Sequence, residues 1–419
     1  MKTPRIPEII DLRPGAIERL ASYCARGAAF SQLRLVADER TWEAAGREAE
    51  RSLKAAGLAT RATVLDGPEP AADARGILRL LFDDVAEERL FVAIGSGTIT
   101  DLVRFVCHRT GRDFLSLATA PSVDAYSSVV APIVVEGMKR TVPARAPLAV
   151  FAEPEVLARA PRAMIAAGFG DMVCKFSAAA DWRLGALLWG ESFDEAIARR
   201  SVAAANGCVE AIADIGAARA DGAAQLMAGL VESGICMALA GHSRPASGAE
   251  HQYSHFWEMK LLREGRPPVL HGLKVGIGTL ETARLWEAVG VMGADEAKAR
   301  LAASKPPARV SEEHRIRAAY GELAPEVLAT QERFLAMDPE AYESLKARIG
   351  GNWEVIRALA AAVPSRDETE RLLVAAGCPT DARTLGLGEA EIAASLDSAH
   401  YLRDRFTVVK LARVLGLRP

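Results

Sequence analysis

Two histidines stand four residues apart in SGAEHQYSH, residues 247–255, in a chain that holds only seven. Ser247 with Glu250 three residues later is a capping-box signature, so the spacing predicts a helix over 247–262 that starts at Ser247. On such a helix His251 and His255 share one face, one turn apart. That spacing can put two imidazoles near one metal, put one on a metal and one on a substrate, or arise by chance. The HExxH arrangement of zinc peptidases is missing, because Gln252 stands where its general-base Glu belongs. His271, in VLHGLKVGIGT (269–279), follows a loop where a further helix should begin. Asp171, in GFGDMVCK (168–175), is expected at a helix start after two glycines. One carboxylate and two imidazoles suit a divalent transition metal with open coordination positions, although spacing alone does not bring Asp171 to the histidines. Cys174 either faces such a metal or is a buried, inert thiol.

A second stretch, AIGSGTITD (93–101), runs from an apolar strand through Gly95-Ser96-Gly97 into a helix with Thr98 as its expected cap and Asp101 three residues on. Glycines let the main chain approach an anion, and a helix N-terminus offers free N–H groups and partial positive charge, so a pyrophosphate fits. The GxGxxG pattern is incomplete, since Thr100 takes the third glycine's place. The usual ribose-binding acid should follow the glycines, yet the best acid, Asp38, ends a strand that precedes them. The loop is therefore either a phosphate cradle or an ordinary strand–helix turn.

The elements that must hold these residues read as two regions. Over 1–152, apolar strands at 33–38, 62–66, 89–95 and 114–121 alternate with helical stretches. This alternation predicts an α/β domain with a mostly parallel, Rossmann-like sheet. SSVVAPIVVEGMKRTVPARAPLAVFA (127–152) reads as two strands turned at Glu136-Gly137, plus one more. Residues 153–419 are Ala/Leu/Arg-rich with helical period and recurrent caps, Ser365 with Glu368 among them, which predicts an all-α domain.

Composition narrows the function classes. At 419 residues two domains are expected. A net charge of −3 carries no basic field for nucleic acid or an anionic membrane. The six scattered cysteines, with no CxxC pair, point to reduced thiols in a cytoplasmic protein. The N-terminal segment has no apolar run of a signal peptide, and no stretch is expected to reach the roughly 20 apolar residues that span a bilayer. These features describe a soluble enzyme.

Taken together, GSGTITD (95–101), TAPSVDAYSS (119–128), AAGFGDM (166–172), DWRL (181–184), SRPASGAEHQYSH (243–255) and LHGLKVGIGT (270–279) resemble the glycerol-1-phosphate dehydrogenase family, above all its bacterial branch. That family sits with dehydroquinate synthase and the metal-containing alcohol dehydrogenases, and the likeness runs from about residue 30 to the C-terminus. It implies a dehydroquinate synthase-like fold with a nicotinamide-binding domain at 1–152 and a metal- and substrate-binding domain at 153–419. It implies Asp171, His251 and His271 as ligands of one divalent metal (zinc, nickel or iron), and these three together with His255 as the catalytic set. Asp124 and His255, with Asp171, would face substrate. Asp38, Gly95, Ser96, Gly97, Thr98, Asp101, Thr119, Ser122 and Ser128 would contact NAD(H) or NADP(H). An acid ahead of the glycine loop is normal in that family, which accounts for Asp38. The implied reaction is reduction of dihydroxyacetone phosphate to sn-glycerol 1-phosphate by a homodimer. For the phosphate, Lys139, Arg140, Arg183 and Arg244 are candidates. A polyol dehydrogenase acting on an unphosphorylated substrate and a dehydroquinate synthase-like lyase are the alternatives.

Overall fold

The computed structural model describes residues 6–26, 32–67, 71–82, 89–135 and 138–417. The chain forms two compact units. One comprises Met1–Met172, Ala203–His242 and Ala375–Gly377; the other comprises Val173–Val202, Ser243–Val374 and Cys378–Pro419. Strands fall at β1 (Ile9–Asp11), β2 (Gln32–Asp38), β3 (Ala59–Leu65), β4 (Arg89–Gly95), β5 (Phe114–Ala118), β6 (Val130–Val135), β7 (Met138–Pro143) and β8 (Ala149–Phe151). The helices that matter below are α1 (Gly97–Thr110), α2 (Arg162–Val173), α3 (Lys175–Trp189), α4 (Ala220–Ala240), α5 (Ala249–Arg263) and α6 (His271–Val291).

In the first unit six strands form one sheet, ordered β1-β8-β5-β4-β2-β3, and each neighbouring pair is parallel. Leu33, Leu35, Ala37, Leu90, Val92 and Ile94 pack on one face, while Val36, Phe91 and Ala93 pack on the other. A parallel sheet is covered on both faces, which is why its strands read as near-continuous apolar runs. β1 escapes sequence reading because three residues carry no period; it joins the sheet edge beside β8. β6 and β7 form a separate antiparallel pair. The turn expected at Glu136-Gly137 lies outside the described residues.

The expected boundary at 152 marks the end of the last strand rather than of the unit that carries the sheet. That unit takes in α4, whose Ala223, Met227, Val231 and Ile235 share a core with Ala118, Val150 and Ala152. Two helical segments, Arg162–Trp189 and Ala220–Ala240, are long and apolar enough to cross a membrane, contrary to expectation. Their hydropathy has a packing explanation: 83% and 61% of the respective apolar windows are buried inside the protein. The second unit is helical among the described residues, built on a core that includes Trp257 of α5 and Trp286 of α6.

Candidate active site

The sheet order sets where a ligand could sit on the first unit. From β2 the chain adds β3 on one side, then returns to place β4 on the other. The C-terminal ends of β2 and β4 flank this reversal, and such a reversal is where open α/β sheets bind ligands. Asp38 ends β2 and Gly95 ends β4. The TAPS segment follows β5, the next strand along, and the Thr119 N–H donates to the Gly95 carbonyl at 3.2 Å. Thus Asp38, the Gly95–Thr98 turn and Thr119 occupy the C-terminal ends of three adjacent strands. A Cβ on Gly95 would fall 2.7 Å from Ile99 Cβ, so glycine is what lets α1 start so close to β4.

One local expectation is corrected here, and the other candidate residues take up local contacts. Ser96, not Thr98, is the N-cap of α1, because Gly97 already takes helical geometry, and the Thr100 hydroxyl donates back to the Ser96 carbonyl. Asp101 is buried one turn inside α1, 3.6 Å from the Arg104 guanidinium. Asp38 caps the short helix after it: Oδ1 accepts the Thr41 N–H at 2.7 Å. Ser128 Oγ accepts the Val130 N–H at 3.1 Å, and Ser122 is buried.

The loop carrying Asp124 is clasped by glycines. A Cβ on Gly168 of α2 would lie 1.9 Å from the Pro121 carbonyl oxygen, and one on Gly234 of α4 would lie 2.3 Å from Ser127 Oγ. This close fit seats the Asp124 N–H on Asp171 Oδ2 at 3.1 Å, and Ser233 Oγ donates to Asp124 Oδ2 at 2.9 Å. Asp171 is fully buried near the end of α2, rather than at a helix start, since the helix runs through its glycines. Ser233 had no local signal, being 109 residues from its partner.

In the second unit α5 and α6 bring three histidines together. Ring centroids lie 5.2 Å apart for His251 and His271, 5.5 Å for His255 and His271, and 6.0 Å for His251 and His255. His271 is the first residue of α6, as its position after a loop predicts. The helices approach closely at Gly278, where a Cβ would sit 2.5 Å from the Glu250 carbonyl oxygen. Burial, then the neighbouring His251 and His255, hold the His271 imidazole well below its usual range, which favours the neutral form that a metal ligand needs.

The capping box expected at Ser247 does not form. α5 begins at Ala249 after Gly248, and its first N–H is taken by Asp181 of the DWRL motif, Oδ2 at 2.8 Å. The other Asp181 oxygen accepts the Val408 N–H at 2.7 Å. Glu250 does reach back, with Oε1 2.5 Å from the Gly248 N–H. The same oxygen lies 2.9 Å from His251 Nδ1, and Oε2 accepts from Ser177 Oγ at 3.0 Å. Burial pushes the Glu250 carboxyl above its usual range, while the Gly248 N–H, the Ser177 hydroxyl and the Lys175 ammonium pull it back. His255 Nδ1 faces Glu258 Oε2 at 3.5 Å, and Lys274 Nζ lies 3.3 Å from the other oxygen of Glu258.

Cys174 is buried, its Sγ 3.7 Å from the Ala246 carbonyl. Of the phosphate candidates, Arg244 pairs with Glu191, Arg183 lies over the Phe193 ring, Arg140 is exposed, and the Lys139 side chain lies outside the described residues. Sequence reasoning missed Arg405, a buried guanidinium that donates to Ser243 Oγ at 2.9 Å and to the Ser247 carbonyl at 2.5 Å.

The donor chemistry suits a metal: two imidazoles on facing helices, one whose neutral form is favoured, the other hydrogen-bonded to a carboxylate through Nδ1. Solved structures show the same fold. A probable glycerol dehydrogenase from Sinorhizobium meliloti 1021 superposes with a TM-score of 0.61 at 16% identity, covering 99% of this chain and 97% of that one. A sulfoacetaldehyde reductase from Bifidobacterium kashiwanohense, solved with NAD+, gives 0.61 at 15% identity over 99% and 96%. The family model for iron-containing alcohol dehydrogenase matches residues 11–161. The chain thus shares the fold of these dehydrogenases and reductases, and its residues 11–161 match the iron-containing alcohol dehydrogenase model.

Sequence relatives narrow this further. Glycerol-1-phosphate dehydrogenase [NAD(P)+] from Geobacillus thermodenitrificans is 34% identical over 398 residues, covering 94% of this chain and 89% of the relative. The protein of that name from Bacillus licheniformis is 32% identical over 420 residues, covering 99% and 91%. The chain belongs to the glycerol-1-phosphate dehydrogenase family, and is an NAD(P)-linked oxidoreductase that acts on a CH–OH group.

Proposed function

We propose that this chain interconverts dihydroxyacetone phosphate and sn-glycerol 1-phosphate in the cytoplasm, as a homodimer serving phospholipid metabolism. The observation that carries the reading is the cluster of His251, His255 and His271 on α5 and α6, in a chain of this family. His251 and His271, with the buried carboxylate of Asp171, would hold one divalent ion: zinc, nickel or iron. When bound, that ion supplies Lewis-acid polarisation of the ketone oxygen, and the reduced nicotinamide supplies hydride. The chain's own residues do the rest. Main-chain N–H groups at Gly95–Thr98 cradle the pyrophosphate at the start of α1, with Asp101, Thr119, Ser122 and Ser128 around the cofactor. Asp38 accepts from the ribose hydroxyls. Asp124, held by Ser233, orients the substrate's hydroxyl. His255, with Glu258 beside its Nδ1, delivers the proton that the reduced oxygen needs.

The test is oxidation of NADH by metal-loaded protein given dihydroxyacetone phosphate or dihydroxyacetone. Turnover should require the phosphate. His251→Ala should lower kcat/KM by about 10³-fold, the equivalent of several kcal/mol of lost electrostatic stabilisation. Equal turnover of the unphosphorylated ketone would move the reading to a polyol dehydrogenase. Phosphate release without net oxidation of NADH would move it to a lyase.

A further inference from the structure

Glu250 is fully buried and directly precedes His251, yet the chemistry proposed above gives it no part. Its carboxylate has three donors around it within 3.0 Å: the Gly248 N–H, the Ser177 hydroxyl and His251 Nδ1. A helix N-terminus needs only the first of these, and the first N–H of α5 is already served by Asp181. The bond to His251 therefore calls for a separate account. A neutral imidazole has one N–H and one lone pair, and the partner of one nitrogen decides which is which. A carboxylate can only accept, so Nδ1 carries the hydrogen and the lone pair is left on Nε2. At 2.9 Å between two buried side chains this bond also stops the ring from flipping. The ring is thereby held in one tautomer and one orientation before any ion arrives.

We infer that Glu250 is a positioning residue for metal binding: it fixes His251 as the Nδ1–H tautomer and so presents the Nε2 lone pair to the ion. This rests on the metal reading proposed above. Carboxylates behind ligating histidines typically govern metal affinity by 10–100-fold. A residue that only caps α5 would change the melting temperature and leave affinity alone.

The experiment uses full-length protein stripped of metal and titrated with zinc against a chromophoric chelator, for wild type, Glu250→Gln, Ser177→Ala and His251→Ala. Glu250→Gln should bind zinc roughly 10–100-fold more weakly. Ser177→Ala removes a neighbour of the same carboxylate without touching His251, and should stay within about threefold of wild type, well inside the range expected for a partner of the ligand itself. If Glu250→Gln does not fold, Glu250→Asp draws the carboxylate back by one methylene and is measured in its place. Equal affinity of the Glu250 variant and wild type would overturn the inference while leaving the metal reading intact. A second readout needs no metal: nitrogen NMR of histidine-labelled apo-protein, with the His251 signal assigned by its loss in His251→Ala. Wild type should show the Nδ1–H form and Glu250→Gln a mixture. If wild type and His251→Ala bind zinc equally poorly, the metal reading fails instead, and an unchanged tautomer in Glu250→Gln would overturn the positioning role as well.

Discussion

The two units build their candidate sites from different materials. At the sheet edge of the first, the proposed cofactor groups are main-chain N–H groups where β4 gives way to α1, and glycine lets the two elements approach. In the second, the candidate groups are side chains, and both histidines of α5 have a carboxylate near Nδ1, Glu250 for His251 and Glu258 for His255. A backbone cradle is set by chain geometry and tolerates changes of side chain around it. A side-chain cluster must be oriented by further polar groups, and those groups must be buried and partnered themselves. The first site should thus break mainly through sterics, and the second through loss of an orienting contact or of the close helix spacing.

The largest effect expected from that contrast is at Gly278. A Cβ there meets the Glu250 carbonyl at 2.5 Å, and both partners are helix backbone that cannot swing aside. Gly278→Ala should force α6 away from α5, costing about 1–3 kcal/mol of stability as overpacked cores do. It should also weaken zinc binding by roughly tenfold, since a binding loss of about 1.4 kcal/mol is enough. Thermal melts and chelator competition measure the two. Affinity unchanged in a destabilised protein would mean that the histidines do not depend on the spacing of α5 and α6.

Gly95 is the counterpart in the first unit. Gly95→Ala puts a Cβ 2.7 Å from both Cβ and Cγ1 of Ile99, a β-branched side chain whose Cβ is fixed by the helix backbone, so the start of α1 must shift at a cost of about 1–3 kcal/mol. KM for NADH should rise several-fold while zinc affinity stays at the wild-type value. A fall in zinc affinity in this variant would break the contrast.

The same contrast explains what the sequence could reveal. The central strands β2, β4 and β5 were legible because they are buried on both faces, and β2 and β4 end at an acid and a glycine, Asp38 and Gly95. The histidine cluster was legible as far as His251, His255 and His271, since helix periodicity and a helix start determine those positions. The partners that orient the cluster were not. Glu250 reads as half of a capping box, and only the structure reveals that Asp181, 68 residues away, serves the helix start while Glu250 turns to the imidazole. Ser233 and Arg405 reach their partners across 109 and 158 residues. No local spacing encodes such contacts. The expected helix start at Asp171 failed for a related reason: Gly168 is there to admit the Pro121 carbonyl, a tertiary demand that reads locally as a break.

Asp38 offers the smallest and most discriminating change. Its Oδ1 caps the following helix through Thr41, a task for which asparagine is about as good as aspartate. Its charge is what should disfavour a 2′-phosphate on the ribose. Asp38→Asn separates the two roles. Stability should move by no more than a few tenths of a kcal/mol, because the cap survives. The ratio of kcat/KM for NADH over NADPH should fall several-fold, because a negative charge no longer faces the phosphate. Asp38→Ala should lose about 1 kcal/mol in addition. An unchanged cofactor ratio in the Asn variant, with the expected loss in the Ala variant, would reduce Asp38 to a helix cap and move ribose recognition elsewhere on the sheet edge.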